Sequence, residues 1–399
     1  MLDFNTTSFH DKKVVMRVDF NVPLNEQFQV TDESRIAGAA PTIQKILEDG
    51  GSVVLMSHLG RPKNGPEDKF SLRHIIPNLE KYFSGHTILF ADDCISDQAQ
   101  LLSASLHAGE ILLLENLRFY KEEEKGDVNF AEKLSRHGNI YINDAFGTAH
   151  RAHASTATIA QFFDSAHKGF GYLMAAEINN ATQLLHHQVK PVTAIVGGAK
   201  VSDKIVLLER LISSMDNILI GGGMAFTFIA AQGGKIGNSL LEPDFIDTAK
   251  NILEKAKANN TYIYLPTDNI VANKFAADAE SMVVDAYEIP DGWMGLDIGP
   301  ATSEQFSKII LDSKTILWNG PMGVFEFDKF ADGTFKVAKA LAEATQQGAF
   351  SLIGGGDSAS AINKSGLEDQ VSFVSTGGGA MLEFLEGREL PGIKAIMQD

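Results

Sequence analysis

VVMRVDFNVP (14–23) and VVLMSHLGRP (53–62) each begin as an apolar run and break into a polar segment bearing an arginine. ILLLENLRFY from Ile111 and IYINDAFGTAHR from Ile140 repeat that form. Five runs in the second half end in small residues instead: AIVGGAK from Ala194, NILIGGGMAFT from Asn217, TILWNGPMG from Thr315, FSLIGGGDS from Phe350 and VSFVSTGGGA from Val371. Runs of this kind read as buried strands, and helical patterns lie between them. TDESRIAGAAPTIQKILEDGG, for example, spaces Ile36, Ala40, Ile43 and Ile46 helically and stops at Gly50-Gly51. Strand and helix in alternation predict an α/β protein with parallel sheets covered on both faces.

In open sheets of that class ligands bind beyond the carboxyl ends of the strands, so both sets of loops fall where ligand chemistry belongs. Guanidinium forks suit carboxylates and phosphates, and Gly-rich backbone before a helix suits nucleotide phosphates. An anionic metabolite on the first half and a nucleotide on the second is the reading that follows.

A chain of 399 residues exceeds one ordinary core and points to two domains. The net charge of −17 argues against nucleic acid or an anionic membrane as partner. It also means that an anionic ligand must be held by local basic groups, inside a Debye length of roughly 8 Å. The lone Cys94 forbids an intrachain disulfide and, with no apolar signal core or long apolar run, makes the cytoplasm the expected location. The boundary is expected in KGFGYLMAAEINNATQLLHHQVKP, read as a connecting helix with glycines before it and Pro191 after it. That divides the chain into 1–168, a connector at 169–190, a second domain at 191–386, and a tail at 387–399 whose docking site composition leaves open.

Neither G-x-x-x-x-G-K-[ST] nor G-x-G-x-x-G occurs. GGAKVSDK (197–204) offers two glycines and, at helical i, i+4 spacing, Lys200 and Lys204 on one face near a helix start. In GGGDSAS (354–360), Asp357 reads as a ligand for Mg²⁺ beside phosphates or as the N-cap of the next helix. STGGGA (375–380) puts the amides of Gly377, Gly378 and Gly379 at a helix start, and Glu326 in NGPMGVFE suits a ribose hydroxyl. In the first half, Asp19, Asn21, His58 and Arg61 share two loops, and Pro41 leaves Arg35 in a loop or first turn. His150 and His153 have no Cys or carboxylate cluster beside them, which excludes a zinc site.

Ten strings in this order resemble the phosphoglycerate kinase family: RVDFNVPL, SHLGRP, LLLENLRFY, NDAFGTAHRAH, GGAKVSDKI, IGGGMAFTF, GLDIGP, NGPMGVFE, GGGDS and STGGGA. The resemblance implies two doubly wound, Rossmann-like parallel-sheet domains joined by a connecting helix. It implies reversible phosphoryl transfer from 1,3-bisphosphoglycerate to ADP, giving 3-phosphoglycerate and ATP with Mg²⁺, in a cytoplasmic monomer. Carried over by position, Asp19, Phe20, Asn21, Arg35, His58, Leu59, Gly60, Arg61, Arg118 and Arg151 hold the glycerate. Lys200, Lys204, Gly221, Gly222, Gly295, Asn319, Glu326, Gly355, Gly356, Asp357 and Ser358 line the nucleotide site. The family usually has Thr where this chain has Ser358, and the hydroxyl is kept.

A phosphate oxygen attacking an acyl phosphate needs no proton moved, so no general base is expected. Alignment and charge stabilisation in a closed interdomain cleft would suffice, with Arg35, Lys200 and the amides of Gly377–Gly379 as the clamp. Two other classes share parts of the pattern. A nicotinamide-dependent dehydrogenase requires the missing G-x-G-x-x-G fingerprint. A non-catalytic two-domain binder of anions has no need of Lys200, Lys204 and Asp357 on the opposite half.

Overall fold

A computed structural model describes residues 1–398. They divide into two compact units, Met1–Asn179 with the C-terminal segment from Arg388, and Asn180–Gly387. The division falls inside the helix Tyr172–His186.

The first unit is built on β1 (Lys13–Val18), β2 (Ser52–Met56), β3 (Ile88–Ala91), β4 (Ile111–Leu114), β5 (Ile140–Asp144) and β6 (Lys168–Phe170). They pair in parallel in the order β3-β4-β2-β1-β5-β6. The connection after β1 leads to β2 on one side and the connection after β5 leads to β6 on the other, so a topological switch lies between β1 and β5. β1, β2, β4 and β5 are buried along almost their whole length, and Val14, Met16, Val53, Leu55, Ile111, Leu113 and Ile142 form one core with the helix Ser34–Glu48. That helix runs straight through Pro41 and keeps Arg35 in its first turn. β6 occupies the start of the expected connector, so residues 169 and 170 belong to the first sheet. Three residues bearing one Phe are too short a run to signal a strand in sequence.

In the second unit, β7 (Val192–Val196), β8 (Asn217–Ile220), β10 (Tyr262–Tyr264), β15 (Thr315–Asn319), β16 (Phe350–Ile353) and β17 (Phe373–Val374) form a parallel sheet in the order β10-β8-β7-β15-β16-β17. Its switch lies between β7 and β15. Trp318 in β15 is fully buried and its indole N–H is satisfied by the carbonyl of Gly320 at 2.8 Å. The alternation breaks between β10 and β15. There β11 (Asp268–Ala272), β12 (Ser281–Asp285) and β14 (Met294–Ile298) make a small antiparallel sheet, and β9 (Lys235–Ile236) pairs with β13 (Glu288–Ile289). β12 is largely exposed, with Met282 and Val283 facing solvent.

The tail docks on the first unit. Gly392 N–H donates to Ala149 O at 2.8 Å, and Lys168 Nζ reaches the carbonyl of Ala395 at 3.2 Å in the short helix Pro391–Met397.

Asp144 closes β5 against the start of the helix Tyr172–His186. Its Oδ1 accepts the Met174 N–H at 2.9 Å, while Thr42 Oγ1 accepts that of Tyr172 at 2.9 Å. Burial pushes the Asp144 carboxyl up to about 7 against these hydrogen bonds. A folded-state value above the unfolded one favours folding fully at low pH, and that benefit is lost as pH rises towards about 7. Asp144→Asn should therefore flatten the decline in stability between about pH 4 and about pH 7, by a few kcal/mol over the window. Urea unfolding across that range checks it, and parallel curves for parent and variant would show that Asp144 does not titrate there.

Candidate active site

In the first unit, four loops at the carboxyl ends of β1, β2, β4 and β5 converge. Asp19, one residue past β1, is paired with Arg35 from the first turn of its helix. Asn21 Oδ1 accepts the Gly60 N–H at 2.8 Å, and Arg118 Nη1 donates to the Gly60 carbonyl at 3.0 Å. Gly60 has φ +62, and a Cβ there would lie 2.4 Å from the Phe70 ring, so only glycine fits. Phe20 and Leu59 put their side chains into the core and leave only backbone at the loops. Arg61 and Arg151 are exposed and Arg118 is half-buried.

One charged residue lies underneath. Arg17, in β1, is only 1% exposed; its Nε donates to Ser155 Oγ at 2.8 Å, its Nη1 to Val18 O, and its Nη2 meets His58 Nδ1 at 3.1 Å. Sequence reasoning passed over it, although a charge inside an apolar run is a signal that a buried partner must exist. Burial, with Arg17, Arg118 and Arg35 against the pull of Asp19, holds His58 well below its usual value, so it is neutral at pH 7. Burial opposes the Asp19 carboxylate, yet His58, Arg35 and Arg17 bring it below its usual value. A neutral His58 lends no charge, so we ascribe that stabilisation to the two arginines. His153, buried and close to Arg118, Arg17 and Arg151, is lowered to about 4. The cluster is thus a cationic surface built of arginines, with its histidines neutral.

In the second unit the loops after β7 and β15 touch at the switch point. Gly197 N–H donates to Asn319 O at 2.9 Å, and a Cβ on Gly197 would lie 2.1 Å from the Pro321 carbonyl. A cavity of about 500 Å³ opens beside them. Gly198, Gly222, Phe226, Leu240, Met294, Gly295, Val324, Glu326 and Asp357 are among its lining residues. Gly222, Gly295, Glu326 and Asp357 were foreseen; the apolar wall of Phe226, Leu240 and Met294 was not, because it comes from a helix, a loop and the antiparallel sheet. Gly221 instead packs against Met322.

Asn319 is buried and committed at both ends, accepting Lys204 Nζ at 2.5 Å and donating to Gly354 O at 2.6 Å. Ser358 Oγ likewise accepts the Gly320 N–H at 2.6 Å. These two side chains brace the β15 and β16 loops, with Gly355 and Gly356 between them.

Two expectations are corrected. The helix after β7 begins at Ile205, with Lys204 as its cap, so Lys200 and Lys204 do not share a helical face. Residues 197–204 are held in turns by the contact of their glycines with neighbouring loops, which overrides the spacing. Lys200 is exposed; Lys204 is half-buried and lowered by burial against the pull of Asp203 and Asp357. Asp357 is not a helix cap either. Gly355 occupies the cap position of the helix Gly356–Lys364, and the exposed Asp357 carboxylate makes no capping bond.

At the third glycine cluster, Gly378 caps the helix Gly379–Leu385, while the Gly377 N–H is taken by Ser375 Oγ at 3.0 Å, leaving two amides of the expected three. Among the described residues no cluster of three His, Cys, Asp or Glu forms a ready-made metal cage. The exposed Asp357 carboxylate at the cavity fits Mg²⁺ carried in with phosphates, since that ion keeps most of its ligands from water and phosphate oxygens.

The arrangement is that of a two-domain α/β protein, with an arginine cluster on one unit and a Gly-lined cavity on the other. Residues 4–388 match the family model described as phosphoglycerate kinase. The chain is 51% identical to the phosphoglycerate kinase of Porphyromonas gingivalis, over 98% of both proteins. It is 53% identical to that of Chloroherpeton thalassium, over 98% of this chain and 97% of the relative. The solved phosphoglycerate kinase of Coxiella burnetii superposes with a TM-score of 0.89 at 40% identity, over 99% of this chain and 98% of the other. The chain belongs to the phosphoglycerate kinase family, whose enzymes carry out a phosphoryl transfer of glycolysis.

Proposed function

We propose that the arginine cluster of the first unit binds 3-phosphoglycerate or 1,3-bisphosphoglycerate. The cavity of the second unit binds ADP or ATP with Mg²⁺, and the phosphoryl group passes reversibly between them. The observation that supports this most is that each unit places a different anion-binding chemistry at its own switch point: arginines at β1/β5, and a Gly-lined apolar cavity with Lys204 and Asp357 at β7/β15. Apolar walls suit a base and the glycine loops suit its phosphates. Asp357 would hold Mg²⁺ together with the nucleotide, and the ion would supply positive charge that offsets the phosphates.

The attacking phosphate oxygen is already ionised and the departing carboxylate needs no proton, so the neutral His58 and His153 have no proton to move. Arg35, Lys200 and the free amides of Gly378 and Gly379 stabilise the charge on the group in flight. Arg61, Arg118 and Arg151 grip parts of the glycerate that do not react. With a net charge of −17 the protein has no nucleic-acid or membrane partner in this reading. It works as a cytoplasmic monomer, where Cys94 stays reduced.

ADP should form from ATP only when 3-phosphoglycerate is present. In that assay Arg35→Ala should lower kcat by roughly 10²–10⁴ with the fold intact, the scale of losing one charge donor to the transition state. A rise in KM at constant kcat would make Arg35 a ground-state anchor.

Asp357→Asn should weaken Mg-ADP binding far more than binding of metal-free ADP, measured by calorimetry with and without chelator. Equal affinities for Mg-ADP in variant and parent would remove Asp357 from the metal site.

Direct transfer also requires the two ligands to meet with water excluded, which a closing motion of the two units provides. Each ligand alone should shift that equilibrium in part, and both together most strongly. The radius of gyration from small-angle scattering should be smallest in the ternary complex. An identical value in the apo, binary and ternary samples would rule closure out.

A further inference from the structure

The arginine cluster rests on a buried chain of hydrogen bonds that the transfer chemistry does not use. Glu123, in the short helix Lys121–Glu124 after β4, is 1% exposed. Its two carboxylate oxygens accept the Ser155 hydroxyl at 2.5 Å and the Ser155 N–H at 3.0 Å, and its carbonyl accepts the Ala154 N–H at 2.9 Å. Having given its proton to Glu123, Ser155 Oγ is an acceptor for Arg17 Nε, at 2.8 Å. Arg17 Nη1 donates to Val18 O, and Nη2 lies 3.1 Å from His58 Nδ1.

An arginine is never an acceptor, so Nδ1 must present its lone pair and the ring proton must sit on Nε2. Among the described residues none hydrogen-bonds Nε2. Asp19, Arg35 and Arg118 surround the ring electrostatically.

We propose that Glu123 is a positioning residue: through Ser155 and Arg17 it locks His58 in the tautomer with the proton on Nε2, a preset donor for an anionic oxygen of the ligand. The lock needs each link. Without the carboxylate, the Ser155 hydroxyl is free to rotate and offer its proton elsewhere. Without the hydroxyl, Arg17 loses the contact that aims its fork at Nδ1. The same link joins the loop that follows Arg118 to the loop that follows Arg151, since Glu123 belongs to one and Ser155 to the other. His153 Nδ1, 4.0 Å from Glu123 Oε1, is too far for a hydrogen bond and does not compete.

This inference rests on reading the cluster as the glycerate site, but the tautomer is observable without any ligand. Long-range ¹H–¹⁵N spectra of the ¹⁵N-labelled protein, with His58 assigned by the loss of its signals in His58→Gln, should show a protonated Nε2 and an unprotonated Nδ1. In Ser155→Ala and in Glu123→Gln the ring should populate both tautomers. KM for 3-phosphoglycerate should rise about tenfold, the scale of one misaimed hydrogen bond to a charged group, and KM for ATP should stay unchanged. Should Glu123→Gln leave Arg17 uncompensated and fail to fold, Ser155→Ala, which keeps both charges, decides. A proton on Nδ1 in the parent overturns the proposal, as does an unchanged tautomer in the variants or an equal rise in both KM values. A parent locked as expected but turning over ATP without regard to 3-phosphoglycerate would instead overturn the glycerate reading and leave the lock standing.

Discussion

Parallel pairing puts the carboxyl ends of all strands of a sheet on one edge, and everything functional in this protein depends on that constraint. Each six-stranded sheet has a central point, between β1 and β5 or between β7 and β15, from which the next connections lead to opposite sides, leaving room for a ligand. At β1 and β5 the room is taken by guanidinium groups. At β7 and β15 it is bounded by backbone so closely packed that a single added methyl at Gly197 has no place. The two sheets share one architecture and differ in the chemistry of these loops.

The electrostatics of the first unit follow from burying a cation. Arg17 has no water to solvate it, so its charge must be met by Val18 O, Ser155, His58 and, at one remove, Glu123. Burial raises Glu123 while Arg17 works the other way. Next to so much positive charge His58 and His153 are neutral, which keeps the cluster's affinity for anions in its arginines, whose charge does not change across physiological pH. A strongly acidic protein can present a basic surface in this way because the arginines are local and partly shielded from solvent.

The second unit is built differently. Its cavity combines an apolar wall with glycine-rich loops, and no single β-loop-α element supplies both. The small antiparallel sheet adds Met294 and Gly295, and the helix Ala225–Ala231 adds Phe226. Asn319 and Ser358 hold the β15 and β16 loops in register from beneath, and the exposed Asp357 carboxylate stands at the cavity in the first turn of its helix.

Apolar runs ending in Arg- or Gly-bearing loops were enough to read the parallel α/β class, and Arg61, Arg118, Arg151, Gly198 and Gly222 follow their strands because strand and loop are contiguous in sequence, whereas Arg35 stands in the first turn of a helix and Gly295 inside β14. Ten short strings also carried the family. The short β6, the antiparallel insertion and the docking of the tail on Ala149 and Lys168 were not legible, since these strands are short or exposed and a tail carries no mark of its partner. The paired helical face of Lys200 and Lys204 was read from spacing, and the turns at 197–204 displaced it. Arg17, Ser155 and Glu123 stand 138 and 32 residues apart; nothing local joins them. Sequence by itself determined which residue types end each strand, because that is a property of neighbours along the chain. Tertiary structure alone decided which of those ends meet and which charges are buried together, because desolvation and hydrogen-bond pairing exist only once distant segments share a core.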